Sequence, residues 1–376
     1  MSTTAPFRGS ARAAGYTETD APPPPFQPEI VDEASEFDEA SAPEPAPVEL
    51  EAESVEAAPE PVSVDLADLI GPEQVAPAAE GVRGLLGKVG LRLQPSAREL
   101  AHRAAAAQLE QHEATIRQAT FPRAVGILVA NRKGGVGKTP TSVILGGVLA
   151  SIRGGSVAIL EVSDDPGTLT FRAEGTPTRG IGELVTDAGS IRSAGQLASY
   201  TAPQTSFASI IGTTGPRPRL DRDAVTGTAR VVDNYYGIRV MDSGNQPSSD
   251  AFEGALAVTD ALVIPVLNSA EAVGEAIALI DHLRTLGGHH ADLADQATIL
   301  RLTDGRTENP ALTENITTVL GQHRLTRIYE IPYDAHIAER GPITLAKLQA
   351  TTRIAFVTAT AAIIATLQNQ QITENE

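Results

Sequence analysis

Lys133-Gly134-Gly135-Val136-Gly137-Lys138-Thr139 follows an apolar run, residues 124–130, and opens a helical pattern over residues 138–152. A glycine-rich turn between a buried strand and a helix lets the backbone curl until its N–H groups and the helix N-terminus face an anion. Lys138 and Thr139 at its end are what separate a phosphate loop from a turn that only joins strand to helix. In a phosphate loop the lysine reaches the β and γ oxygens of a nucleotide and the threonine hydroxyl ligates Mg2+. The sequence therefore predicts a nucleoside triphosphate, ATP with Mg2+, on this segment.

Outward from the loop, short apolar runs alternate with helical patterns. Strands are expected at residues 156–162, 238–241, 261–267, 297–302 and 326–331, besides the first at 124–130. Helices are expected at 138–152, 270–286 and 345–367. Runs that are apolar without alternation indicate strands covered on both faces, the mark of parallel βαβ units. The expected fold is α/β, a doubly wound and mostly parallel sheet spanning residues 121–370. The run from Ile354 to Leu367 is short and interrupted by threonine, and is read as a buried helix, not a membrane span.

Composition divides the remainder. Of the 47 acidic residues, 18 lie in residues 1–80 beside only two basic ones, Arg8 and Arg12, a net charge of −16. The formal charge of −18 thus describes this segment, and the rest of the chain is close to neutral. Half of the 26 prolines also fall there. Such a composition buries too little apolar surface to offset the entropy of ordering, so residues 1–80 are expected to be a disordered acidic Pro/Ala/Glu-rich tail. Residues 81–120 are expected to form a basic amphipathic segment, with Val82, Leu85, Leu86, Val89 and Leu93 at helical spacing, followed by a linker helix. Ser96 and Glu99 make a capping box at the start of that helix. Residues 371–376 are read as a polar tail. Cysteine is absent, which excludes disulfides, thiol nucleophiles and thiolate metal sites and fits a cytoplasmic location.

A magnesium site needs a second oxygen ligand, and Asp242, after the run Ile238-Arg239-Val240-Met241, is the candidate; a helix cap or turn residue is the plainer alternative. Ser243-Gly244-Asn245-Gln246-Pro247 then provides a flexible loop suited to sensing a γ-phosphate.

With these residues in place, the chain resembles the MinD/ParA-like switch ATPases, a group of P-loop NTPases whose deviant loop carries a lysine where Lys133 stands. Glu161-Val162-Ser163-Asp164-Asp165-Pro166-Gly167, Asp242-Ser243-Gly244, the run from Ala261 to Val266, and Ile331-Pro332-Tyr333-Asp334 fall in the order of that group. The block from Gly90 to Ser96 makes the chain similar to the actinobacterial branch associated with type VII secretion. The resemblance implies an ATP-dependent homodimer in which Lys133 reaches the partner subunit's nucleotide. It also implies nucleotide contacts from Lys133 through Pro140 and from Pro332 and Asp334, metal ligation by Thr139 and Asp242, and hydrolysis supported by Lys133, Lys138, Glu161 and Asp165. A protein partner from a secretion, positioning or partition system is expected, with recruitment to membrane or nucleoid.

Departures from the group's pattern bear on the chemistry. Glu161 stands where the group has its first aspartate, and Ser163 where partition ATPases carry the aspartate that positions water. A serine hydroxyl is no general base at neutral pH, which leaves Asp164 or Asp165 to substitute. Pro140 removes a backbone N–H expected at the α-phosphate. The run Ile299-Leu300-Arg301-Leu302-Thr303 lacks an asparagine that reads adenine in the group. Two alternatives to a slow ATPase therefore stand: a nucleotide-binding scaffold, and a partition ATPase binding nonspecific DNA through Arg324, Arg327, Arg340, Lys347 and Arg353. The near-neutral domain argues against the latter, and the polar C-terminus argues against a peripheral membrane anchor.

Overall fold

The computed structural model describes residues 94–374, with side chains to residue 370. The expected acidic tail and the amphipathic segment from Val82 to Leu93 lie outside the described residues. In chain order the elements are α1 (Ala97–Gln118), β1 (Val125–Val129), α2 (Lys138–Arg153), β2 (Val157–Val162), α3 (Ile181–Asp187), α4 (Ala194–Ala198), β3 (Ala202–Pro203), β4 (Ser209–Ile211), α5 (Arg222–Asp233) and β5 (Ile238–Ser243). They continue with α6 (Asp250–Leu256), β6 (Ala261–Leu267), α7 (Ala270–Leu286), α8 (Gly288–Asp295), β7 (Thr298–Leu302), α9 (Pro310–Gln322), β8 (Ile328–Ile331), α10 (Ala335–Ala338) and α11 (Ala350–Glu374).

The strands form one sheet in the order β3-β4-β2-β5-β1-β6-β7-β8, parallel throughout except where β3 runs against β4. Every residue of β1, β2 and β5 is buried, because helices cover both faces. On one face α1, α2 and α11 pack around Ile116, Leu145, Leu149, Phe356 and Ile364. On the other, Val225, Phe252, Leu279, Leu283 and Leu320 from α5, α6, α7 and α9 pack on the outer sides of the same strands. The result is a three-layer α/β/α domain.

Strand β1 lies between β5 and β6, with Val129 beside Asp242 and Val263. This is the point where strand order reverses, so the loop leaving β1 opens into the crevice at the carboxyl end of the sheet. The six expected strands all form, with β5 running two residues further and taking Asp242 into the strand. Strands β3 and β4 were not expected. They are two and three residues long, too short for their pattern to stand out from the loops.

At α1, Ser96 Oγ accepts from the Glu99 N–H at 3.2 Å, which is the serine half of the expected capping box, and the buried Glu99 pairs with Arg103. The closing helix differs from the expected 345–367. A short 3-10 turn, Leu345–Lys347, comes first, and α11 begins after Gln349 donates its N–H to Asp334 Oδ2 at 2.8 Å. Helix α11 then continues to Glu374, through most of the expected polar tail. Its stretch Ala350–Gln370 is long and apolar enough to span a bilayer, so length does not decide its role. Phe356, Ala359, Thr360, Ile363, Ile364 and Leu367 are nonetheless buried in the protein.

Candidate functional site

Asn131 follows β1 and anchors the loop from its start. Its side chain donates to Pro265 O at 2.9 Å and accepts from the Lys133 N–H at 2.9 Å, tying the loop to β6. Gly135 and Gly137 hold φ of 77° and 98°, in the left-handed region that a residue with a Cβ adopts only at a cost. Gly137 is also the N-cap of α2, so the helix starts with its free N–H groups turned into the loop. Val136 is buried beneath it.

Lys138, the first residue of α2, folds its side chain back into the loop. Its ammonium donates to Asn131 O at 3.1 Å and Lys133 O at 3.2 Å, and to Asn245 Oδ1. Burial brings its pKa down to about 8 despite the opposing charge of Asp242. Asn245, from the loop after β5, thus sits directly over the phosphate loop. The expected γ-phosphate-sensing loop is therefore joined to the lysine it would work with. Asn131 was not singled out from the sequence, and Asn245 was read only as part of the loop after Asp242.

Thr139 Oγ1 donates to Asp242 Oδ2 at 2.7 Å, and Ser142 Oγ to Asp242 Oδ1 at 3.2 Å. Asp242 is 5% exposed and has hydroxyls, not a guanidinium or ammonium, as its hydrogen-bond donors. Burial, with Glu161 adding repulsion from the adjacent strand, pushes its carboxyl up to about 7. A buried carboxylate beside a threonine hydroxyl, without a tight cationic partner, is a donor set that a hard divalent cation fits. Among the described residues no group of three or more His, Asp or Glu side chains could hold a metal by itself. Thr139 and Asp242 would therefore share a Mg2+ with nucleotide oxygens, the usual arrangement for that ion.

The other expected residues are more dispersed. Lys133 pairs with Glu271 on α7, while Arg132 meets Glu275 one turn on at 3.2 Å. Pro140 is the third residue of α2, so the position lacks an N–H. Glu161, on β2 beside Asp242, is 1% exposed and accepts from Arg217 Nη2 and Gly167 N, both at 3.0 Å, and from Thr213 Oγ1. Gly167 permits that closeness, since a Cβ there would stand 2.8 Å from Glu161 Cδ. Asp165 turns to solvent and takes both arms of Arg219 at 2.8 and 2.9 Å, hydrogen bonds that hold its carboxyl below the usual range. Asp164, not Asp165, lies inward: a Cβ on Gly244 would be 3.2 Å from its Oδ1. Pro332 follows β8 at the carboxyl edge of the sheet. Asp334 next to it caps α10, with its two oxygens accepting from His336 N at 2.9 Å and Gln349 N at 2.8 Å. Those bonds give Asp334 a structural task, since both oxygens hold backbone.

Solved structures similar to this chain come from archaea and bacteria. A ParA family ATPase from Chlorobium tepidum TLS shares 14% identity over 66% of this chain and 98% of its own, with a TM-score of 0.49. The cell division ATPase MinD of Pyrococcus furiosus shares 15% over 64% and 98%, with a TM-score of 0.48. The septum site-determining protein MinD of Pyrococcus horikoshii OT3, complexed with Mg-ADP, shares 15% over 63% and 94%, with a TM-score of 0.46. Among curated proteins none matches. The sequence profile of the CobQ/CobB/MinD/ParA nucleotide binding domain matches residues 127–341, more than half of the chain and all of the site from the phosphate loop to Asp334. The chain belongs to the CobQ/CobB/MinD/ParA nucleotide-binding family.

Proposed function

We propose that this protein is an ATP-dependent dimerising switch ATPase of the MinD/ParA type, with slow turnover. The observation that carries the reading is the convergence of Lys138, Thr139, Asp242 and Asn245 around one loop at the carboxyl end of β1 and β5. Lys138 offsets charge on the β and γ phosphates. Thr139 and Asp242 would hold Mg2+, which would supply positive charge to offset that of the phosphates. Asn245 gives up its bond to Lys138 when phosphate arrives, and that exchange moves the loop following Asp242. Lys133, leaving Glu271, serves the nucleotide of a second copy. The machinery served is a secretion-associated complex of the type VII kind; the Gly90–Ser96 block supports that branch over partition or cell-division positioning.

Lys138→Ala is expected to abolish binding of ATP in the presence of magnesium, measured by titration calorimetry, and phosphate release with it. Full ATP affinity in that variant would remove the site assignment.

A second reading, a nucleotide-binding scaffold without useful turnover, draws on Ser163, whose hydroxyl is spent on Asp165 O at 2.7 Å, and on the missing N–H of Pro140. Phosphate release from wild-type protein no faster than from Lys138→Ala would favour it.

A further inference from the structure

Arg217 lies between β4 and α5, outside the family's motifs, yet its side chain is 3% exposed and its guanidinium makes six hydrogen bonds. Three go to successive carbonyls of the loop after β2: Ser163 O at 3.0 Å, Asp164 O at 2.7 Å and Asp165 O at 2.9 Å. The others reach Thr213 Oγ1 at 2.9 Å, Pro218 O at 3.0 Å and Glu161 Oε1 at 3.0 Å. Three consecutive carbonyls turned onto one planar cation fix the path of that loop. Leu220 N–H adds a bond to Asp164 O at 3.0 Å.

The two aspartate side chains of this braced loop take different directions. Asp165 leaves toward solvent and Arg219. Asp164 is 9% exposed and turns toward Gly244, where a Cβ would stand 3.2 Å from its Oδ1, while its Oδ2 lies 3.8 Å from Arg219 Nη2; Asn245, next to Gly244, holds Lys138. Glu161 completes the brace: its carboxylate accepts from Arg217, Thr213 and Gly167.

We propose that Arg217 is a positioning residue that holds Asp164 where it orients the water attacking the γ-phosphate, and that Glu161 is a strut for Arg217 instead of a partner of the metal. This inference rests on the ATPase reading. In the step, the water oxygen bonds to the γ-phosphorus while the bond from that phosphorus to the β–γ bridging oxygen breaks. The electron pair leaves on ADP. The water's proton passes to the Asp164 carboxylate and then to the departing phosphate. Arg217 touches none of the reacting atoms.

The test is single-turnover and steady-state phosphate release by the full chain with MgATP, alongside nucleotide affinity. Asp164→Asn is expected to lower kcat on the order of 100-fold or more with affinity little changed, whereas Asp165→Asn leaves kcat near wild type. Arg217→Lys, which keeps a donor in the cradle, is expected to lower kcat about 10- to 100-fold while KM changes little. The double variant Asp164→Asn/Arg217→Lys should be no slower than Asp164→Asn alone, because the arginine acts through that carboxylate. If Arg217→Lys fails to fold, Arg217→Met combined with Glu161→Gln removes both buried charges together and should show the same kcat loss with a cooperative melt. Multiplying losses, a parallel fall in affinity, or an Asp165→Asn variant as slow as Asp164→Asn would overturn the inference and leave the ATPase reading standing. Wild-type protein that binds MgATP and releases no phosphate would overturn both.

Discussion

Asp242 shows how a binding residue can lower the stability of the free protein. Its carboxyl, pushed up to about 7 by burial, keeps a proton in the folded chain at pH values where the unfolded chain has lost it. The folded state is therefore favoured by this group at low pH, and the contribution declines as pH rises from the ordinary carboxylate value toward 7. At pH 8 the folded chain must hold the charge in a buried site. Asp242→Asn is expected to raise stability in urea at pH 8 by on the order of 2–4 kcal/mol, and to abolish magnesium-dependent nucleotide binding. A less stable variant would show that the carboxylate is supported by contacts stronger than its two hydroxyls. Pro140 bears on affinity at the same scale. Pro140→Thr restores an N–H in the first turn of α2 and is expected to tighten nucleotide binding by about 1–2 kcal/mol, the size of a charge-assisted hydrogen bond. Calorimetric titration of both proteins with ATP checks this, and an unchanged affinity would mean that the N–H at this position faces no phosphate.

Among the elements, those readable from sequence are the ones whose environment is uniform along their length. Strands β1 and β6 lie in the middle of the sheet with helices on both sides, so each reads as an unbroken apolar run, and β2 does so apart from Glu161. The phosphate loop is legible because its glycines, lysine and threonine are adjacent in the chain. What escaped reading depends on residues far apart. Glu161 and Arg217 stand 56 positions apart in the chain, and nothing local to either signals the pairing. The different directions of Asp164, toward Gly244, and Asp165, toward Arg219, are likewise a matter of backbone path and not of residue type. The break before α11 had a similar cause, since Asp334 captures Gln349 N–H from 15 residues away. Helix α11 unites the layer that carries α2. Phe356, fully buried in it, is expected to cost about 3–5 kcal/mol on replacement by alanine, measured by chemical denaturation. A loss below about 1 kcal/mol would mean that α11 is peripheral to the fold.

At the scale of the whole molecule, one end of the sheet gathers the phosphate loop, the loop after β2 and the loop after β5, each leaving a strand at its carboxyl end. A ligand bridging these loops changes the surface at that end alone, which gives a switch its face. Lys133, resting on Glu271 at the rim, is half-exposed there and within reach of solvent. The direct measurement is the molar mass of the full chain by light scattering with magnesium and either ADP or a slowly hydrolysed ATP analogue. The account predicts a monomer with ADP and a dimer with the triphosphate, and a Lys133→Ala variant that stays monomeric in both. The same mass with either nucleotide, or without any, would contradict it.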